Sequence, residues 1–383
     1  MKKLILLFLV LVLKFAPAKA QWVTIPDANF VTKLQQLFPS CMNGNQMDTT
    51  CAAVVNATSL FVPGSNISNL SGIEYFNNLS TLNCSDNQLA SLPSLPNSLT
   101  TLDCAFNQLL SLPSLPNSIT TLWCYANQLS SLPSLPNSLI GLHCYTNQLN
   151  ILPDLPNNIT TLWCYANQLS SLPNLPNSLI NLNCRDNQLT SLPNLPNNLT
   201  TLNCYNNQLT NLPSLPNNLS TLNCDNNQLN SLPEVPDSMQ VFRIVNNNIS
   251  CLENLPYLSN PNLANISNNP FTCVPNQTTY SLGLPLCLDG DPLNNPNNCP
   301  SVNITGSVYT ESSENSYSLY PNPSTGVFTF KDTKNLNSVE VYSILGEKIL
   351  SQTYQKTINL NGFSKGVYFA RVNGMQVVKM LKE

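Results

Sequence analysis

The chain has 383 residues, only 9% of them charged, and its 19 acidic and 15 basic side chains give a net charge of −4. Four of the basic residues (Lys2, Lys3, Lys14 and Lys19) lie in the first 20 positions, so the remainder carries eleven basic against nineteen acidic groups, a net of −8. That balance argues against duplex nucleic acid as a partner, and no stretch after position 20 approaches the roughly 20 apolar residues of a membrane helix.

Residues 1–20 read as a cleavable export signal, with Lys2 and Lys3 leading, an apolar run over 4–13 and small residues at Ala18-Lys19-Ala20. The first cysteine is Cys41, so no lipid-anchor cysteine follows the signal. Residues 21–61 form an N-terminal cap. Within it Phe30, Val31, Leu34, Leu37 and Phe38 recur at helical spacing behind Asp27, which predicts a short amphipathic helix over 27–38 covering the open end of a repeat array.

From Cys84 to Cys224 the chain repeats every twenty residues as Leu-x-x-Leu-x-Cys-x-x-Asn-Gln-Leu-x-x-Leu-Pro-x-Leu-Pro-x-x. A period this short is one supersecondary unit per turn of a solenoid, each unit burying its apolar edge only against its neighbours. Degenerate units flank the regular ones: Val62, Ile67 and Leu70 before, then Ile244, Asn247, Ile249 and Leu252, then Ile266, Asn269 and Phe271. The solenoid therefore spans 62–274 with about eleven turns and atypical ends, as capped arrays require.

Within a turn, Leu102 and Cys104 alternate with Asp103 and Ala105, so leucine and cysteine columns point inward and the residues beside each cysteine point outward. Asn107 and its equivalents follow the strand, where a short amide bonds turn backbone that no water reaches, predicting an asparagine ladder. Leu112-Pro113-Ser114-Leu115-Pro116 and its copies exclude helix and predict a polyproline-like back. One parallel strand per turn at about 4.8 Å gives a rod on the order of 50 Å, a platform without a deep pocket.

The repeat resembles the leucine-rich repeat family, in its short bacterial Leu-Pro-x-Leu-Pro form also found in type III secreted effectors. It departs from the family in placing Cys84, Cys104 and their successors where an aliphatic residue is usual, and buried Cys serves as a small hydrophobe. Eight of the 14 cysteines occupy that column. In-register parallel strands stack their sulfurs without aiming them at each other, which predicts eight buried free thiols. Cys41, Cys51, Cys251, Cys273, Cys287 and Cys299 remain for up to three cap disulfides; the pairing of the last four stays open.

The outward positions are not uniform. Trp123, His143 and Trp163 hold one site in three successive turns; the site after Cys holds Tyr125, Tyr145, Tyr165, Arg185 and Tyr205, with Phe106 one step further round in an earlier turn. Cross-strand aromatic pairs stabilise a sheet by about 0.2–1 kcal/mol each without any ligand. Their clustering points instead to a ligand-binding stripe, since the flanking turns carry Asn83, Asp103, Asn183, Asn203 and Asn223 at the tryptophan site. Aromatic patches rimmed by polar groups suit a protein or a glycan ligand. Catalysis is not expected: strand geometry points His143 away from the cysteine column. Asp289 and Asp291 lack the further ligands of a calcium loop and read as a turn. No metal or cofactor is called for.

Residues 275–299 form a cysteine-containing C-terminal cap, and serine-rich 300–319 reads as a linker. From 320 to 383 short alternating runs at 327–330, 339–342, 349–353, 366–371 and 375–379 predict a small antiparallel sandwich. It carries eight basic and four acidic residues, opposite in sign to 21–319. Its motifs Tyr320-Pro321-Asn322-Pro323-Ser324-Thr325-Gly326, Val341-Tyr342-Ser343-Ile344-Leu345-Gly346-Glu347-Lys348 and Lys365-Gly366-Val367-Tyr368-Phe369 resemble the C-terminal sorting domain of the Gram-negative type IX secretion system. That resemblance implies export, recognition by the secretion machinery at the outer membrane, and release or surface attachment after a cut in the linker. The expected fold is mainly β, a solenoid followed by a sandwich. The expected protein is a secreted or cell-surface binding protein, or else a structural surface or matrix component without a defined ligand.

Overall fold

The computed structural model describes residues 21–252, 254–256, 263–275, Cys287, Cys299, 317–331, 336–344, 347–353, 355–372 and 376–383. The export signal, most of the linker and the turn at Asp289 and Asp291 lie outside them. The chain divides into two compact units, Met1–Ser301 and Val302–Glu383.

The first unit opens with a three-stranded antiparallel sheet (Trp22–Thr24, Gln46–Asp48, Met42–Asn43) and the expected helix at Ala28–Leu37, which buries Phe30, Val31 and Leu34. Asp27 fixes its start. Its Oδ1 accepts from the Asn29 and Phe30 amides, while Oδ2 accepts from Ser68 N and Oγ and from Asn69 N, joining the helix cap to the first solenoid turn. Burial alone would raise this carboxyl; the bonds from Phe30, Ser68 and Asn69 outweigh it and hold the group below its ordinary value. Leu37, expected on the apolar face, is exposed, whereas Phe38 meets the Phe76 ring edge-on at 5.5 Å.

Among the described residues, eleven strands from Ser59–Phe61 to Ala264–Asn265 form one parallel sheet in chain order. Through the regular turns each residue pairs with the one twenty positions on, as Leu122 with Leu142 and Trp123 with His143. The rungs continue past the three-residue strands: Cys104 N donates to Trp123 O at 2.8 Å and Phe106 N to Tyr125 O at 3.0 Å. Leucine and cysteine columns fill the interior, and Cys84 through Cys224 are all fully buried free thiols. Desolvation of the thiolate pushes Cys144 and Cys184 up to about 12, so the column is chemically quiet at neutral pH.

The asparagine ladder is present. Asn127 is representative: Nδ2 reaches Cys104 O at 3.0 Å, Cys124 O at 3.2 Å and Tyr125 O at 3.2 Å, and Oδ1 accepts from Leu109 N at 3.0 Å. Each ladder residue thereby ties two turns together, and its oxygen answers a buried backbone N–H such as that of Leu109. The residue before it is left-handed in every turn from Asp86 to Asn268, with φ of 51–56°. The Leu-Pro-x-Leu-Pro segments carry neither helix nor sheet, as proline dictates. Disulfides close both caps: Cys41 with Cys51, Cys251 with Cys299 and Cys273 with Cys287.

The second unit consists of two antiparallel sheets, Leu319–Tyr320, Val327–Phe330 and Thr357–Asn359 in one, and Lys348–Thr353, Ser338–Ser343, Gly366–Val372 and Gln376–Lys382 in the other. Phe328, Phe330 and Ile358 from the first, with Leu360 just beyond it, share a core with Val339, Val341, Tyr368, Ala370 and Met380 from the second. The strand expected at 375–379 runs instead over Gln376–Lys382, and Leu319–Tyr320 and Thr357–Asn359 are too short to show alternation in sequence. Lys382 is buried, donating to Leu360 O at 2.9 Å and to Phe363 O, so this cation braces the terminal strand and adds nothing to the surface charge.

Candidate recognition surface

Strand register brings all nine predicted site residues onto one stretch of the solenoid. In the outer row the rings form a continuous column. Phe106 meets Tyr125 edge-on at 5.2 Å, Tyr125 stacks on Tyr145 at 4.2 Å and 11°, and Tyr145 stacks on Tyr165 at 4.2 Å and 9°. The Arg185 guanidinium continues the column, 4.2 Å from the Tyr165 centroid and 5.2 Å from that of Tyr205, whose hydroxyl it also bonds. Asp186 pairs with it at 3.2 Å.

The second row runs beside the first. His143 presents its ring edge-on to Trp163 at 4.6 Å and lies 6.1 Å from Trp123, and Tyr145 lies 6.3 Å from Trp163, linking the rows. Gly141 replaces the threonine of its neighbours Thr121 and Thr161; a Cβ there would lie 3.8 Å from His143 Nε2, so the imidazole sits at contact distance from this position. Burial lowers the His143 pKa, favouring the neutral ring. Tyr145 is shifted the other way by burial and by Tyr125 and Tyr165, so its phenol stays protonated.

The stripe is less open than alternation alone suggests. Phe106 is 56% and Trp163 38% exposed, whereas the other seven are half-buried against one another. Ala105, expected outward, is fully buried, so a small residue in this row is covered by its surroundings. Tyrosine faces that a flat ligand would stack upon are already occupied by neighbouring rings, leaving edges and hydroxyls outward. Phe106 and Trp163 supply the most accessible apolar area.

Little here can do acid–base or metal chemistry. His143 stands with aromatic rings and no carboxylate beside it, and Cys144 lies on the opposite side of its strand, fully buried. Cys273, Cys287 and Cys299 bring their sulfurs within 4.8 Å of one another, but all three are engaged in disulfides.

Sequence reasoning missed the left-handed site before each ladder asparagine, where Asn206, Asn226, Asn246 and Asn268 stand in successive turns. Their recurrence immediately before the ladder residue was the available signal.

Residues 318–382 match the family model described as a secretion system C-terminal sorting domain. Among solved structures, the leucine-rich effector protein YopM from Yersinia pestis is similar at 30% identity and a TM-score of 0.53, covering 64% of this chain and 78% of its own. YopM from Yersinia enterocolitica is similar at 32% identity and a TM-score of 0.41, covering 58% of this chain and 55% of its own. The leucine-rich-repeat domain of a Shigella effector is similar at 35% identity and a TM-score of 0.32, covering 43% of this chain and 66% of its own. No curated protein matches the sequence. The twenty-residue turns, their parallel register and the likeness to the Yersinia pestis effector place the chain in the leucine-rich-repeat family, with a type IX sorting domain at its C-terminal end.

Proposed function

We propose that the protein is exported and, on or beyond the outer membrane of a Gram-negative cell, binds a protein partner through the stripe from Phe106 to Tyr205. The observation that carries this reading is the cross-braced aromatic array with Trp163 and Phe106 emerging from it. Rings locked by their neighbours lose little side-chain freedom on binding, and tryptophan, tyrosine and arginine are the residue types that dominate interface energetics. A protein is favoured over a glycan at this stripe because the tyrosine faces are already stacked. Within the stripe His143 is flanked by aromatic rings, and binding accounts for its residues.

The test is replacement of Trp123, Tyr145 and Trp163 by Ala in the mature chain. Lost partner binding with an unchanged fold supports the reading; unfolding with no ligand involved supports the alternative of a structural surface component. For the export half, residues 300–383 are fused to an inert reporter, which is expected outside the cell. A reporter retained in the periplasm removes the sorting role.

A further inference from the structure

Past the aromatic turns the outward surface changes character. The left-handed site holds Asp186, Asn206, Asn226, Asn246 and Asn268 in five successive turns, and their side chains are joined in one direction. Asn206 Nδ2 donates to Asp186 Oδ1 at 2.7 Å, Asn226 to Asn206 at 2.6 Å, Asn246 to Asn226 at 2.5 Å and Asn268 to Asn246 at 2.7 Å. All four asparagines are exposed. A carboxamide has two N–H donors and an oxygen with two lone pairs. From Asn206 to Asn246 the series uses one of each, so each amide keeps a donor and an acceptor facing solvent.

A second row runs two residues further along each turn, where Gln188, Gln208, Gln228 and Asn248 are exposed. Glutamine fills this site in all eight regular turns, from Gln88 to Gln228, while the next exposed site drifts through Ala90, Leu110, Ser130, Asn150 and Thr190. On the strand face of the same turns, Asn183 Oδ1 and Asn203 Oδ1 are shielded acceptors without a partner.

We propose that this double row of carboxamides, over 186–268, binds a neutral linear polysaccharide lying along the solenoid axis. The strands step at about 4.8 Å, close to the advance of one ring in an extended glycan, so each turn meets one sugar. An extended peptide advances about 3.3 Å per residue and falls out of step. A sugar hydroxyl both donates and accepts, which suits amides that each keep one open group of either kind. The rows are uncharged apart from Asp186, which Arg185 neutralises, so the fitting polymer is neutral. Single hydrogen bonds in water contribute little; affinity therefore grows with the number of rings engaged.

Isothermal titration of the mature chain with cellohexaose, xylohexaose, chitohexaose and the anionic hexagalacturonate tests this, with sedimentation to follow self-association. At least one neutral hexamer binds, more tightly than its trimer. Binding falls at least tenfold in the variant Asn206→Ala/Asn226→Ala/Asn246→Ala, whose new residue already stands at the same left-handed site as Ala126 and Ala166. It also falls in Gln208→Ala/Gln228→Ala, which alters exposed side chains only, and survives Trp163→Ala. The proposal is overturned if no neutral hexamer binds, if hexagalacturonate binds better, if both amide variants bind as the parent does, or if Trp163→Ala alone abolishes binding. It is likewise overturned if the amide variants change only self-association. Loss of the aromatic reading leaves these outcomes untouched.

Discussion

The turns carrying Trp123 to Tyr165 and those carrying Asn203 to Asn246 share one backbone, yet they present opposite surfaces. Both pair in parallel register, bury the same leucine and cysteine columns and are tied by the same asparagine ladder. One shows stacked rings and the other bonded amides. Folding demands are met by the inward positions in both regions, so the outward divergence is free to serve recognition. This is the separation expected of a solenoid whose stability is a sum over turns and their interfaces.

Breaking the shared part should hurt both regions alike. Asn127→Ala in the aromatic region and Asn227→Ala in the amide region each leave one amide N–H, that of Leu109 or Leu209, without its acceptor, costing about 1–3 kcal/mol, and remove one of the bonds to each of three carbonyls. The expected result in urea unfolding is two similar losses. Two clearly unequal losses would mean that the outward residues help hold one region together.

Asp27 tests the cap that both regions depend on. Asp27→Ala should lower stability by about 0.5–2 kcal/mol through the lost helix cap alone, and more through the bonds to Ser68 and Asn69. Because the folded carboxyl titrates below its ordinary value of 3.8, its contribution is complete above that pH and is lost as pH falls through the lower folded value. An acid melt should therefore begin at the cap, and the alanine variant should lack that step.

Sharper contrasts come from smaller changes. Thr146→Asn places in the aromatic region the residue type used at the left-handed site of the amide region, where φ is 55°. It should gain about 0.5–1 kcal/mol by relieving the β-branched residue there. Trp163→Ala should cost only the cross-strand share, about 0.2–1 kcal/mol per ring pair, while removing partner binding. A thermal shift far larger than this would assign the stripe to folding. The half-buried imidazole adds the smallest effect: His143 titrates below 6.5, so its neutral-ring contribution is present above that value and declines as pH drops through it.

The architecture was legible because a twenty-residue period repeats leucine, cysteine, asparagine and proline at fixed sites, and each has a distinct backbone consequence. The left-handed site was not, because Asp86, Phe106, Ala126, Thr146 and Asn206 share no chemistry; stacking of whole turns imposes that conformation against local preference. The membership of the aromatic stripe could be read from register alone. Its closure could not, because ring planes at 9° and 11° depend on rotamers that spacing does not encode. In the sandwich, Lys382 is one of the eight basic residues of 320–383, and nothing in its spacing encodes the Leu360 and Phe363 carbonyls that hold it in the folded chain.

Both proposed surfaces rest on alternation that hides sulfur and turns rings and amides outward. Titrating thiols on the oxidised mature chain, before and after denaturation without reductant, tests this most directly. The account predicts no reactive thiol in the native protein and eight after unfolding, with the remaining six cysteines held in disulfides. Thiols that react in the native state, or a denatured count well below eight, would contradict it.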